Sequence, residues 1–332
     1  MGREKRVCVI GSNSFSGNDF IDLLLETGRF SVLGVSRSSL KSPLFLSKKI
    51  RSSDKYFFSQ IDLNKDLEKL FPLLDDFHPE YIVNFAAQSE VGPSWSFPEQ
   101  WYQTNVIAMT KLAETLKEKK YLKKYVHISS PEVYGSCSGV VKEDFPYNPS
   151  TPYAASKAAG DLSLSTYWKN FSFPLVTIRS TNVYGARQQL FKIIPRSIVR
   201  LKSNRLINLH GGGRAIKSYI HIRDISRGEL AIMENGRVGE VYHLSPREGY
   251  SVRDIVKNIC DILKSNFSSS VCEVEERQGQ DSAYVIDSEK SRKEFAWESR
   301  ISIEDGICDV VKWIEDNWEA ILKEPLEYVH KP

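Results

Sequence analysis

The run Val7-Cys8-Val9-Ile10-Gly11-Ser12-Asn13-Ser14-Phe15-Ser16-Gly17 joins an apolar segment to a helix start through a glycine-bounded turn. Four apolar residues read as a short buried strand, and the amphipathic run Ser16 to Glu26 reads as a helix. Between them lies a tight turn bounded by glycines. A strand that runs through such a turn into a helix N-terminus is suited to a dinucleotide pyrophosphate, because the backbone can come close and the first N–H groups of the helix are free. Gly11 and Gly17 take the first and last places of the glycine pattern, while Ser14 stands at the middle one. With Asn13, Phe15 and Ser16 they make up the expected pyrophosphate loop. A plain strand–helix turn would share these residues, so the rest of the chain must carry the reading.

Working outward, strand-like runs recur at Ser31 to Val35, Tyr56 to Phe58, Tyr81 to Phe85, Tyr125 to Ser129 and Leu175 to Arg179. Helical patterns lie between them at Asn64 to Asp76, Pro98 to Lys119 and Tyr153 to Phe171. Continuous apolar strands separated by helices predict a parallel sheet covered on both faces, a doubly wound α/β Rossmann architecture. Residues 1–185 are expected to form this dinucleotide-binding domain, with 215–245 returning to it through a strand at Glu240 to Leu244. Residues 186–214 and 246–332 are then a smaller, interleaved substrate domain. The second strand ends Gly34-Val35-Ser36-Arg37-Ser38, where a site for NAD usually places an acid and a 2′-phosphate is met by arginine. Ser36, Arg37 and Ser38 therefore favour NADP over NAD, unless Arg37 is merely solvent-exposed. Asp62, after the third strand, is placed to reach the adenine or simply to hold a turn.

The 332 residues hold 45 basic and 42 acidic side chains, a net charge of +3, which excludes the basic stripe of a nucleic-acid binder. The longest apolar runs fall far short of the ~20 residues that span a bilayer. The basic opening leads straight into a strand, which is not the pattern of a signal peptide. A soluble, cytoplasmic protein is expected. Cys8, Cys137, Cys260, Cys272 and Cys308 form no CxxC pair and have no histidine at ligand spacing, so free thiols and no metal are expected.

Tyr153-Ala-Ala-Ser-Lys157 opens a helix after Pro149 and Pro152. Residues at i and i+4 share a face, so phenol and ammonium point the same way, and a nearby cation favours a phenolate. Tyr153 is thus a candidate acid/base for a hydroxyl. Upstream stands Ser129-Ser-Pro-Glu-Val-Tyr-Gly135. Together with Asn84-Phe-Ala-Ala-Gln88, Asn105-Val106, Arg179-Ser-Thr-Asn-Val-Tyr-Gly185, Lys217-Ser-Tyr-Ile-His-Ile-Arg-Asp224 and Arg277-Gln-Gly-Gln-Asp281, these runs are ordered along almost the whole chain. The chain resembles the extended short-chain dehydrogenase/reductase family and, within it, the nucleotide-sugar 4,6-dehydratases of the dTDP-glucose and GDP-mannose types.

That resemblance implies a lyase that turns a nucleoside-diphosphate hexose into its 4-keto-6-deoxy form around a tightly bound NADP or NAD. It makes Ser130, Tyr153 and Lys157 the catalytic triad and Glu132 the base for C5, where 4-epimerases generally carry a small residue. Leu63, Ala86, Ala87, Gln88 and Asn105 join the cofactor site. Ser89, Ser130, Pro131, Glu132, Asn182, Lys192, Lys217 and Arg277 face the substrate. Two departures stand out. Pro131 replaces the aspartate that protonates the departing hydroxyl in the dTDP-glucose type, leaving Glu132 to deliver that proton itself. Ala283 replaces an arginine near the substrate. A 4-epimerase of the same family, or a nicotinamide-binding regulatory protein without turnover, are the alternatives. The resemblance also implies a homodimer built on a four-helix bundle, with Val106, Met109, Leu112, Ala113, Leu116, Leu162, Leu164, Tyr167 and Trp168 as the stripes; the same stripes would also serve to cover the sheet.

Overall fold

The computed structural model describes residues 3–137, 139–275 and 285–331. Seven strands form one parallel sheet: β1 (Lys5–Ile10), β2 (Phe30–Ser36), β3 (Tyr56–Gln60), β4 (Tyr81–Asn84), β5 (Lys124–Ile128), β6 (Leu175–Ser180) and β9 (Val241–Leu244). Their spatial order is β9-β6-β5-β4-β1-β2-β3. Two further short strands, β7 (Asn182–Tyr184) and β8 (Tyr219–His221), pair in parallel beside the sheet's carboxyl end.

The alternation of side chains along a strand explains why these runs are apolar throughout. In β1, Val7 and Val9 enter the core on one face, whereas Cys8 and Ile10 enter the core on the other. The first face is covered by α1 (Phe15–Thr27) and α7 (Ile222–Asn235). The second is covered by α2 (Leu67–Phe77), α4 (Met109–Leu116) and α5 (Pro152–Phe171). A wholly buried leucine such as Leu24 or Leu112 contributes about 1.5–3 kcal/mol through removal from water.

The predicted helix Pro98 to Lys119 is not one continuous α-helix. It runs as α3 (Pro98–Tyr102), a π-helical turn over Gln103–Ala108, and then α4. Such turns widen the helix by one residue and often sit at functional sites. Here the turn carries Asn105. Met109, Leu112, Ala113, Leu116 and Leu164 are buried against the sheet, with Tyr167 and Trp168 packed on the same core. Most of the expected dimer stripe therefore covers the sheet within the chain, and Tyr102, Ile107 and Leu162 remain exposed on that side.

A second core joins α6 (Ile193–Lys202), α8 (Val252–Ile262) and α9 (Ile303–Asp316) through Ile194, Ile198, Ile255, Ile259, Ile307 and Ile314. Within 246–332, however, the helix Glu289–Phe295 packs back on α7 and β9, and Trp297 lies in the first core, donating from Nε1 to the Asp224 carbonyl at 2.8 Å. Of the cysteines, Cys8 and Cys260 are buried while Cys272 and Cys308 are exposed, and all five are free. Among the described residues no helix is long and apolar enough to cross a membrane, and no cluster of side chains suits a metal.

Candidate active site

The turn after β1 owes its shape to two residues. Gly11 has φ +80°, and a Cβ there would lie 2.6 Å from the Ala86 nitrogen, so only glycine lets this turn cross the chain leaving β4. Ser14 caps α1, its hydroxyl accepting from the Gly17 N–H at 3.0 Å. The serine in the middle of the glycine pattern is thus folded back onto its own helix. The remaining first-turn N–H groups have no intrahelical partner by construction.

Behind the turn, the Asn13 N–H donates to Ser36 Oγ at 2.9 Å, and Asn13 Nδ2 donates to the Ser38 carbonyl, Ser38 Oγ and the Ser39 carbonyl. These contacts lock the turn to the end of β2. Asn13 Oδ1 is buried without a protein partner, an acceptor left for a ligand. A cleft of about 360 Å³ opens here, lined by Gly11, Asn13, Ser14, Ser36, Arg37, Ser38, Asp62, Leu63, Ala86, Ala87 and Gln88. Asp62 also holds a turn, Oδ1 accepting from the Asn64 N–H at 2.9 Å.

Of the expected cofactor residues, Phe15, Ser16, Tyr153 and Lys157 line an adjoining cavity instead, and Gly17 and Asn105 line neither. Gly17 packs behind the turn against the Gly11 carbonyl. Asn105 accepts from the Gln88 N–H and donates to the Gln88 carbonyl and to Ser156 Oγ, each at 2.9 Å. It positions the Ala87–Gln88 wall from inside rather than facing the cleft. Lys41, which also lines the cleft, is held below the ordinary lysine range by burial and by the nearby Lys331 ammonium, with Glu324 opposing them.

A second cavity of about 470 Å³ adjoins the first, the two sharing residues that include Ser14, Phe85, Ala87, Ser89, Glu90 and Phe191. Phe15 and Ser16 line it from the helix start. It gathers Ser89, Ser130, Pro131, Glu132, Tyr153, Lys157, Asn182, Lys192 and Lys217. Ser130 ends the extended strand segment and caps a short 3₁₀ turn, Pro131–Tyr134, with its hydroxyl accepting from the Glu132 N–H at 3.2 Å. Proline suits the first position of that turn, where no N–H is needed. Tyr153 enters from the first turn of α5, which Thr151 caps. Burial pushes the Tyr153 phenol up, the Glu132 charge adds to this, and a Ser130 hydrogen bond opposes it. Lys157 Nζ donates to the Ile128 carbonyl at 2.8 Å, and burial lowers its pKa to about 8 against the pull of Asp161.

Two features were not singled out from the sequence. Asp161, one turn beyond Lys157, accepts from Ser129 Oγ and Arg179 Nη2, both at 2.8 Å, and lies 3.2 Å from His127 Nε2. Burial alone would raise its pKa, but His127, Arg179 and Lys157 hold it well below the usual carboxylate range. Arg179 also bonds the hydroxyls of Tyr134 and Tyr147, so this network braces the turn that carries Glu132. The i+4 spacing from Lys157 was the available signal. The other feature is Glu90, which lines both cavities and pairs with Lys192 at 2.7 Å across their mouth. Arg277, expected at the substrate, lies outside the described residues, as does Ala283.

Fold and site together define an extended short-chain dehydrogenase/reductase of the Rossmann type. A sequence profile described as GDP-mannose 4,6 dehydratase matches residues 8–310, and the chain belongs to that family. It is 27% identical to a dTDP-glucose 4,6-dehydratase of Haemophilus influenzae, covering 92% of this chain and 97% of that one. A human dTDP-D-glucose 4,6-dehydratase is 29% identical, over 97% and 94%. Among solved structures, a dTDP-glucose 4,6-dehydratase from Streptomyces venezuelae with NAD bound superposes with a TM-score of 0.88 at 28% identity, over 97% of this chain and all of that one. A UDP-glucuronic acid 4-epimerase from Bacillus cereus, also with NAD, gives 0.85 at 27%, over 94% and 99%.

Proposed function

We propose that this chain is a nucleotide-sugar 4,6-dehydratase that releases water from a nucleoside-diphosphate hexose and yields the 4-keto-6-deoxyhexose. One observation carries the reading: a carboxylate, Glu132, sits on the turn directly after Ser130 and lines the same cavity as Ser130, Tyr153 and Lys157. An epimerase has no use for a base there. Dehydration does, because C5–H becomes acidic only once C4 is a ketone. The assembled Ser130, Tyr153 and Lys157 speak against a protein without turnover.

Gly11, Asn13 and Ser14 would hold an oxidised nicotinamide dinucleotide, which would supply the reversible hydride acceptor that oxidation at C4 and reduction at C6 need. Tyr153, as the phenolate that Lys157 and the charge of a bound oxidised nicotinamide would favour against burial and Glu132, takes the 4-hydroxyl proton and afterwards releases it to solvent, with Ser130 as its hydrogen-bonding neighbour. Glu132 removes the C5 proton and passes it to the departing C6 hydroxyl, since Pro131 has no acid to offer. A proton from solvent then returns to C5, and the sum of the steps is loss of one water. Asn182, Ser89, Lys192, Lys217 and Arg277 are proposed to hold the sugar nucleotide, its diphosphate opposite the cations.

The unpartnered Asn13 Oδ1 and the cradle that a Cβ on Gly11 would fill fit a dinucleotide. The solved relatives hold NAD, whereas Arg37, Lys41 and Lys331 beside the ribose end favour a 2′-phosphate. Weighing the nucleotide released on denaturation decides between them. A homodimer, paired through the side that exposes Tyr102, Ile107 and Leu162, is part of the same reading, and light scattering checks it.

The direct test is incubation with dTDP-, UDP-, GDP- and CDP-hexoses, with thermal shift to find the ligand and mass spectrometry to find the product. Loss of the mass of water from a bound sugar supports the reading. Inversion at C4 without that loss overturns it in favour of a 4-epimerase.

A further inference from the structure

The segment Leu326–Lys331 runs from the second core to the dinucleotide cleft, and five of its six residues have an anchor, the exception being the exposed Val329. Leu326 packs on the second core. Glu327 accepts from Arg200 at 3.2 Å. Tyr328 meets Phe191 edge-on, with ring centroids 5.2 Å apart. His330 stacks on Phe97 at 4.9 Å and 3°, lies nearly parallel to the buried Trp101 at 5.7 Å, and bonds Gln100 Oε1 through Nε2 at 2.8 Å. The Lys331 carbonyl accepts from Gln88 Nε2 at 2.9 Å and from Arg37 Nη2 at 3.1 Å.

Gln88 and Arg37 lie at separate points of the cleft, on the chain after β4 and at the end of β2. One carbonyl bridges them. Tyr328, Val329 and Lys331 line the same cleft as Gly11, Asn13 and Ser14 of the glycine turn. The segment therefore bounds the space rather than filling it. We propose that Tyr328–Lys331 is the outer wall of the dinucleotide site, and that the His330 stack on Phe97 and Trp101 sets how long a bound nicotinamide dinucleotide stays.

A redox-neutral dehydration restores its cofactor at every turnover, so a wall that slows exit has a clear use. The inference rests on the reading that a nicotinamide dinucleotide occupies this cleft, but it needs no particular sugar.

The test measures nucleotide release from the full chain. Protein loaded with whichever of NAD or NADP it carries is mixed with excess isotopically labelled nucleotide, and exchange is followed by mass. His330→Ala and Phe97→Ala break the stack from its two sides. Both should exchange about tenfold faster than the unaltered chain and lose nucleotide on gel filtration. His330→Phe, which keeps a flat ring, should restore slow release. Exchange within about twofold of the unaltered chain in both alanine variants overturns the inference alone. Slower exchange in those variants also overturns it, because the segment would then be a competitor. An unaltered chain that takes up neither NAD nor NADP overturns the cofactor reading and this inference together.

Discussion

The floor and the mouth of the cavity that holds Glu132 and Tyr153 are held by charged pairs of opposite character. Beneath Ser129–Glu132, Arg179 and Asp161 are about 2–3% exposed and tie together β5, β6, α5 and the turn bearing Glu132. At the mouth, Glu90 and Lys192 form a single pair with side chains 23% and 37% exposed. A buried pair has no substitute partner, so breaking it strands a charge. A half-exposed pair loses little when water replaces one side. The floor is thus built to keep Glu132, Tyr153 and Lys157 in register, while the pair at the mouth is free to change partners, as the proposed diphosphate role of Lys192 requires.

Three substitutions sharpen or break this contrast, taken from the largest effect downward. Lys157→Met removes the floor's titrating ammonium and should cost about 10²- to 10⁴-fold in turnover. It should also change stability in a defined pH window. Burial lowers Lys157 from 10.5 in its ordinary state to about 8, so between these values the unfolded chain binds more protons and stability rises with pH. Below about pH 8 that slope is absent. Unfolding by urea from pH 7 to 10 should show the rise in the unaltered chain and a flatter profile in the variant.

Asp161→Asn should destabilise the chain by about 3–5 kcal/mol, since Arg179 is left buried without its counter-charge. It should lower kcat more than it raises KM, because the Glu132 turn loses its brace. A loss under about 1 kcal/mol, as at an exposed pair, would erase the contrast. Lys192→Ala should change stability by less than about 1 kcal/mol. Its mark should be a KM for the sugar nucleotide raised about tenfold at little altered kcat, the signature of binding lost equally in ground and transition states.

Much of the floor was legible from the sequence because it is local. All seven strands of the sheet were read to within one or two residues, since strands buried on both faces, as most of these are, write themselves as unbroken apolar runs. Tyr153 and Lys157 share a face by helical spacing alone, and Asp161 continues it. At the mouth Lys192 was read through the family resemblance, but its pairing with Glu90 was not. Glu90 and Lys192 are 102 residues apart and meet only through tertiary folding. The π-helical turn at Asn105 left no mark in the apolar spacing, which still read as one helix. The stripes assigned to a partner subunit could not be told from stripes that cover the sheet, because both obey the same period. Arg37 shows the same difficulty: its charge at the end of β2 was plain, but its bond to the Lys331 carbonyl joins positions 294 residues apart.

The claim on which the account turns is that Glu132 is the base for C5. The measurement is turnover in deuterium oxide, comparing the unaltered chain with Glu132→Gln and reading C5 by NMR. The unaltered chain should place deuterium at C5 of a 4-keto-6-deoxy product. The variant should still oxidise C4, seen as absorbance of reduced nicotinamide, yet form product about 10²- to 10⁴-fold more slowly, with no exchange at C5. A variant that makes the deuterated product at an undiminished rate would contradict the account.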